Sequence, residues 1–123
     1  MTTEEQEARS PSDALQDIAI ESWRFVALVN KLLTQLDAGE RGRYQGQIRF
    51  FLRKLESNLE SAELKIVNLE GNPFDPGMAA TALNIEDFSE SDDLVVDQMI
   101  EPVVMGPKGL LHSGTVILRK VNK

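Results

Sequence analysis

The chain contains no cysteine and a single histidine. Without thiols it can form no disulfide, hold no metal through sulfur and run no thiolate chemistry, and one imidazole alone is a poor start for a zinc site. No apolar run approaches the roughly 18 residues of a membrane span. The opening MTTEEQEARS is acidic, the reverse of a secretory leader's basic start, so the expected location is the cytoplasm, with no membrane partner. Positive charge is also scarce: Lys and Arg number 13 against 20 Asp and Glu, a net charge of −7. Nucleic-acid binding needs a basic field to neutralise phosphates, and this balance argues against it. There is no glycine-rich phosphate loop and no nucleophile-elbow pattern. The neighbouring acids Glu86-Asp87 and Asp92-Asp93 have no spacing that would fix a water or a metal. The sequence reads as a protein that is not an enzyme and needs no cofactor and no metal.

What is present is 123 residues, 41% of them hydrophobic, enough for one compact domain or for a helical part joined to a small β part. No internal repeat interrupts that reading. Residues 1–9 offer almost nothing to bury and are expected to be a disordered tail. Ser10-Pro11-Ser12-Asp13 then carries the signals of a helix start: a capping hydroxyl, proline at the first helical position and an acid near the positive end of the dipole. Leu15, Ile18, Phe25, Val29, Leu32 and Leu36 recur at three- and four-residue steps and define the main apolar stripe of a helix to about residue 36. Ala19, Trp23, Val26 and Leu33 widen it, while Asp13, Asp17 and Glu21 mark a solvated edge.

The glycines of Asp37-Ala38-Gly39-Glu40-Arg41-Gly42 are expected to end that helix and reverse the chain. A second helix follows from about Arg43 to Ala62, with Tyr44, Ile48, Phe51, Leu55 and Leu59 along its seam. A short loop between two long amphipathic helices predicts an antiparallel hairpin over residues 10–62. Each stripe is wider than one partner helix covers, which suggests a homodimer closed as a four-helix bundle. The alternative is that the β part covers the surplus face within one chain. Arg41, Arg43, Arg49, Arg53 and Lys54 concentrate positive charge on the second helix, a solvated face by default.

Residues 63–123 read as a small β domain, and the class is therefore α+β. LKIVNLE is short and rich in branched residues, as a strand should be. Phe74-Asp75-Pro76 is read as a structural motif, with Phe74 buried and Asp75 capping a one- or two-turn helix that Pro76 begins. Residues 86–93 are an acidic loop. The chain then closes on a hairpin from Asp93 to Val121 around Gly106-Pro107-Lys108-Gly109. Pro107 presets its own φ for the turn, the glycines accept dihedrals closed to other residues, and Lys108 becomes a charged tip on a stiff stem. Arg119, Lys120 and Lys123 are expected to blunt an exposed sheet edge. His112 has no triad or metal partner in view.

Gly71-Asn72-Pro73-Phe74-Asp75-Pro76 resembles the link between the helical bundle and the β domain in the GrpE family, nucleotide exchange factors of DnaK-type heat-shock chaperones, where the pattern runs G-x-P-F-D-P. Val95-Val96, the Gly106-Pro107-Lys108 tip and the return strand through Val116 and Leu118 are similar to that family's last hairpin, with lysine where the family carries arginine. The resemblance spans about residues 43–121, and the helix of residues 11–36 is shorter than the family's paired helix. It implies a dimeric helical region, a compact β domain and no covalent chemistry. It further implies that the chain binds the ATPase domain of a DnaK-type chaperone, or of a related actin-like ATPase, and promotes ADP release. On that reading Met105, Pro107, Lys108 and Leu118 are the partner-binding residues, with a core role as the alternative for Met105 and Leu118. The competing function is a small acidic dimeric adaptor, of the kind that secretion chaperones represent, which binds protein without exchange activity.

Overall fold

The computed structural model describes residues 10–121. The expected tail of residues 1–9, and Lys123 at the other end, lie outside the described residues. Two helices lead into a β region of two small sheets, an α+β chain that divides into a helical unit ending at Leu64 and a β unit beginning at Lys65.

In the helical unit, α1 runs from Pro11 to Leu33. The Ser10 hydroxyl accepts from the Asp13 N–H at 3.1 Å, and Pro11 stands in the first turn, where its missing N–H is no loss. The chain turns earlier than the glycines suggest. Asp37 is the N-cap of α2, Ala38–Ser61, and its carboxylate accepts from the Glu40 N–H at 3.0 Å. Gly39 and Gly42 therefore lie inside the helix, because the Asp37-x-x-Glu40 cap, not glycine freedom, sets the reversal. Arg41 fastens the corner by donating to the Leu36 carbonyl at 3.1 Å, close to the C-terminal end of α1, where a cation suits the dipole.

The end of α2 is a Schellman cap: Leu64 N–H donates to Leu59 O and Glu63 N–H to Glu60 O, both at 2.9 Å. Glu63 holds the left-handed position with φ of 62°, the one residue other than glycine with positive φ among those described. Leu59 and Leu64, the apolar pair such a cap brings together, are both buried.

The strands of the β unit are β1 Lys65–Val67, β2 Ala80–Ala82, β3 Leu94–Glu101, β4 Val103–Gly106, β5 Gly109–His112 and β6 Gly114–Lys120. One sheet has the order β1-β4-β5 and the other β2-β6-β3. The C-terminal hairpin is real but bent. Its outer arms pair as β3 with β6, its inner arms as β4 with β5, and the two halves belong to different sheets. The bend falls at Pro102, which brings no N–H to the ladder. Opposite it a Cβ on the buried Gly114 would meet Val103 Cγ2 at 3.1 Å and the Glu101 carbonyl at 3.2 Å, so only glycine lets the arms close here without a shift. His112 Nδ1 lies 2.9 Å from the Pro102 carbonyl and bridges the same corner.

The remaining pieces close the second sheet. Residues 71–74 lie along the outer side of β3: Gly71 N–H donates to Val96 O, Val96 N–H to Asn72 O and Phe74 N–H to Leu94 O. The expected short helix at Pro76 does not form. Asp75 Oδ1 accepts from Gly77 N–H at 3.0 Å in a turn, and the chain then enters β2, parallel to β6. Beyond β2, Asn84 acts as a false peptide. Its amide donates to Leu118 O and accepts from Leu118 N–H, each at 2.9 Å. A single 3₁₀ turn, Ile85–Asp87, follows. Because β6 is the central strand, Arg119 and Lys120 guard no edge; they pair with Asp97 at 3.1 Å and Asp92 at 3.4 Å. The core of the unit holds Val96, Met99, Val104, Val116 and Leu118.

Candidate functional site

The turn at the hairpin tip places Pro107 and Lys108 between the paired residues Gly106 and Gly109. Neither Pro107 nor Lys108 takes positive φ; that conformation falls on Gly109, at 120°, where glycine adopts it without strain. Gly106 serves otherwise, since the Leu111 side chain lies where its Cβ would stand, at 2.7 Å. Pro107 and Lys108 are both exposed.

Register builds a surface behind that tip. Lys65, Met105 and Leu110 stand side by side on β1, β4 and β5, and residues in one row share a face. Lys65 is exposed, Met105 half-buried and Leu110 48% exposed. The next row, Ile66, Val104 and His112, turns the other way, with Ile66 and Val104 buried. An open Met–Leu patch with a lysine across the strands and another at the turn is thus set on the first sheet of a chain of net charge −7. Such a patch suits a partner that is apolar with an acidic margin.

Of the residues singled out from sequence, Met105, Pro107 and Lys108 come together here. Leu118 does not. It is 3% exposed on the central strand of the other sheet, where it serves the core and offers a partner no surface. Phe74, Asp75 and Pro76 sit by the open end of the hairpin. Asp75 and Pro76 are exposed and Phe74 is only half-buried, because the loop lies on the rim of its sheet. Sequence reasoning missed Lys65 and Leu110, since each reads as an ordinary strand residue until the register of β1 against β4 is known.

The helical unit presents a second open surface. Ala19, Trp23, Val26 and Leu33 form the buried seam of α1, whereas Ile18, Phe25 and Leu32 from its main apolar stripe point outward at 54%, 65% and 60% exposure. On α2 only Leu59 is buried, and Tyr44, Phe50 and Phe51 are open. Between the helices lies a hollow of about 290 Å³ walled by Val26, Val29 and Leu33 on one side and Tyr44, Ile48 and Phe51 on the other. The basic residues of α2 do not all face bulk water alone: Arg43 lies 5.3 Å from the Tyr44 ring centre and Lys54 5.9 Å from that of Phe50.

Among the described residues no group of three or more His, Asp or Glu side chains is gathered as a metal site would need, and no helix is long and apolar enough to cross a membrane. No protein family, curated protein or solved structure matches the chain.

Proposed function

We propose that the chain is a GrpE-like co-chaperone that binds the ATPase domain of a DnaK-type chaperone, or of a related actin-like ATPase, and promotes release of ADP. The observation that carries this reading is the hairpin tip: Lys108 stands exposed on a turn fixed by Pro107, with the open Met105–Leu110 row behind it. The Gly71–Pro76 motif that carries the resemblance supports it by closing the side of β3, a structural task. The factor would work by preferring the partner's open cleft, since binding shifts a conformational equilibrium only through differential affinity. The same reading includes a homodimer through the helical hairpins, supported by Phe25, Leu32, Phe50 and Phe51, which one chain leaves open.

Release of fluorescent ADP from a DnaK-type chaperone of the same organism tests it. Saturable acceleration by the wild type, lost by at least about tenfold in Lys108→Ala, is the expected result. No acceleration by a folded protein of dimeric mass in light scattering overturns exchange and leaves the second reading, a dimeric adaptor without exchange activity. The apolar hollow between the helices favours that second reading, since it offers a binding surface independent of the tip.

A further inference from the structure

Ile18, Phe25 and Leu32, exposed on α1, are spaced by seven, the step that keeps side chains in one line along a packed helix. Tyr44 and Phe51 on α2 have the same spacing, and both wall the hollow of about 290 Å³ together with Phe25. From the corner of the helical hairpin outward, Leu33 and Tyr44 come first in that wall and Phe25 and Phe51 last. The hollow therefore belongs to the corner half of the hairpin, and the Phe25–Phe51 row stands near mid-length. The distal half carries Ile18 and Leu55, the latter seven residues beyond Ile48 of the hollow.

Charge divides at the same level. The corner half, residues 25–50, holds Lys31, Arg41, Arg43 and Arg49 against Asp37 and Glu40, a net charge of +2. The distal half, residues 10–24 and 51–63, holds six Asp and Glu against Arg24, Arg53 and Lys54, a net charge of −3. Both counts include every charged side chain, whether or not it already has a partner, and the ion pairs Arg24–Glu21 and Arg43–Glu40 each fall inside one half. Residues 1–9 hold three glutamates and one arginine in sequence, so the sign of the distal half does not rest on them.

Resting on the homodimer of the proposed function, we infer that the second copy packs antiparallel on this face, related by a two-fold axis that crosses the helices at the level of Phe25 and Phe51. Each of these aromatics then meets its own counterpart, and Ile18 lies over Leu32 of the second copy. Each distal half, with Ile18 and Leu55, covers the other copy's hollow. A parallel arrangement instead sets two hollows of about 290 Å³ against one another with nothing to fill them, whereas protein interiors are close-packed. It also stacks like charge on like charge at both ends, while the antiparallel one sets the +2 half on the −3 half twice. The hollow is then filled within the dimer and is not left for an adaptor's client.

The chain has no cysteine, so a single one can be placed and spin-labelled. Ser12→Cys puts it on the exposed first turn of α1, thirteen residues from Phe25. At a rise of ~1.5 Å per residue, labels on the two copies should stand about 39 Å apart or more in the antiparallel dimer and within roughly 20 Å in a parallel one, read by dipolar spectroscopy. An equimolar mixture of Ile18→Cys and Leu32→Cys chains should oxidise to the mixed disulfide rather than to either self-pairing. In the wild type, sedimentation should show the dimer weakening about tenfold as NaCl rises from about 50 to about 500 mM, because the facing ends carry opposite charge. Label separations near 20 Å, self-pairing of Ile18→Cys, or a dimer that tightens with salt overturns the antiparallel arrangement and leaves the homodimer itself standing. A monomeric mass at every concentration overturns both.

Discussion

The two units solve opposite problems. The β unit has short strands yet leaves little undone: Val96, Met99, Val104, Val116 and Leu118 are all at 3% exposure or less, and even the backbone of Leu118 finds a partner in a side-chain amide. The helical unit has two long elements with sound caps and an unfinished interior, with Phe25 and Leu32 open on α1 and Phe50 and Phe51 on α2. Local hydrogen bonding makes a helix without any partner for its apolar face, whereas a strand exists only once its neighbours are in place. The unit that needs non-local contacts to exist is the one whose core is complete.

The sharpest way to break that contrast is to truncate one apolar side chain in each unit. Met99→Ala, at a site 1% exposed, should cost about 2–5 kcal/mol in chemical denaturation. Phe25→Ala, at 65% exposure, should change stability by no more than about 0.5 kcal/mol in a lone chain. A larger loss at Phe25 that grows with protein concentration would show that a second chain completes the helical core. Next in size, Asn84→Ala leaves the N–H and C=O of buried Leu118 without their partner and should cost about 1–3 kcal/mol. Asn84→Asp, which keeps the acceptor and loses the donor, should fall between it and the wild type.

Two smaller effects belong to the helical unit. Glu63→Gly relieves the left-handed position of the Schellman cap and should raise stability by about 1 kcal/mol, read as a higher melting temperature. The last is a pH dependence. Backbone hydrogen bonding from Glu40, first among the causes, lowers the pKa of Asp37 below its ordinary value. A lowered folded-state pKa contributes stability that is present above the unfolded value and lost as pH falls through the folded one. Asp37→Ala should therefore lower the melting temperature at neutral pH and flatten its decline below about pH 4, the ordinary carboxylate range. An unchanged acid limb in the variant would show that this carboxylate does not report on folding.

How far the sequence reveals these features depends on how local their causes are. Ser10 and Pro11 announce the start of α1 because capping chemistry acts within one turn. The Pro107–Lys108 turn is legible for the same reason. At Asp37 the local signal was also present, as acid and glutamate three residues apart, but two glycines beside it suggested a breaker. Glu63 gave no signal, since nothing in a glutamate foretells left-handed backbone. Strand β2 was hidden by residues of helical propensity and by a partner, β6, that lies far along the chain. The periodicity of α1 showed that several faces are apolar, yet Ala19, Trp23, Val26 and Leu33 rather than Ile18, Phe25 and Leu32 are the buried set. Which stripe turns inward depends on neighbours, and periodicity carries no information about them. For the candidate site, Met105 and Lys108 were within reach of sequence reasoning, while Lys65 and Leu110 join them only through register.

The strand order has a consequence for how the β unit can be divided. In chain order, strands one, four and five make one sheet and strands two, three and six the other. The two sets are interleaved, so no single cut in the polypeptide puts one whole sheet on each side. Removing β1 costs the first sheet an edge strand, and removing β6 costs the second its central one. The two sheets are thus not two modules in sequence: they can be transplanted together but not parted into two intact pieces, and added residues leave both ladders standing when they fall in the turns between strands.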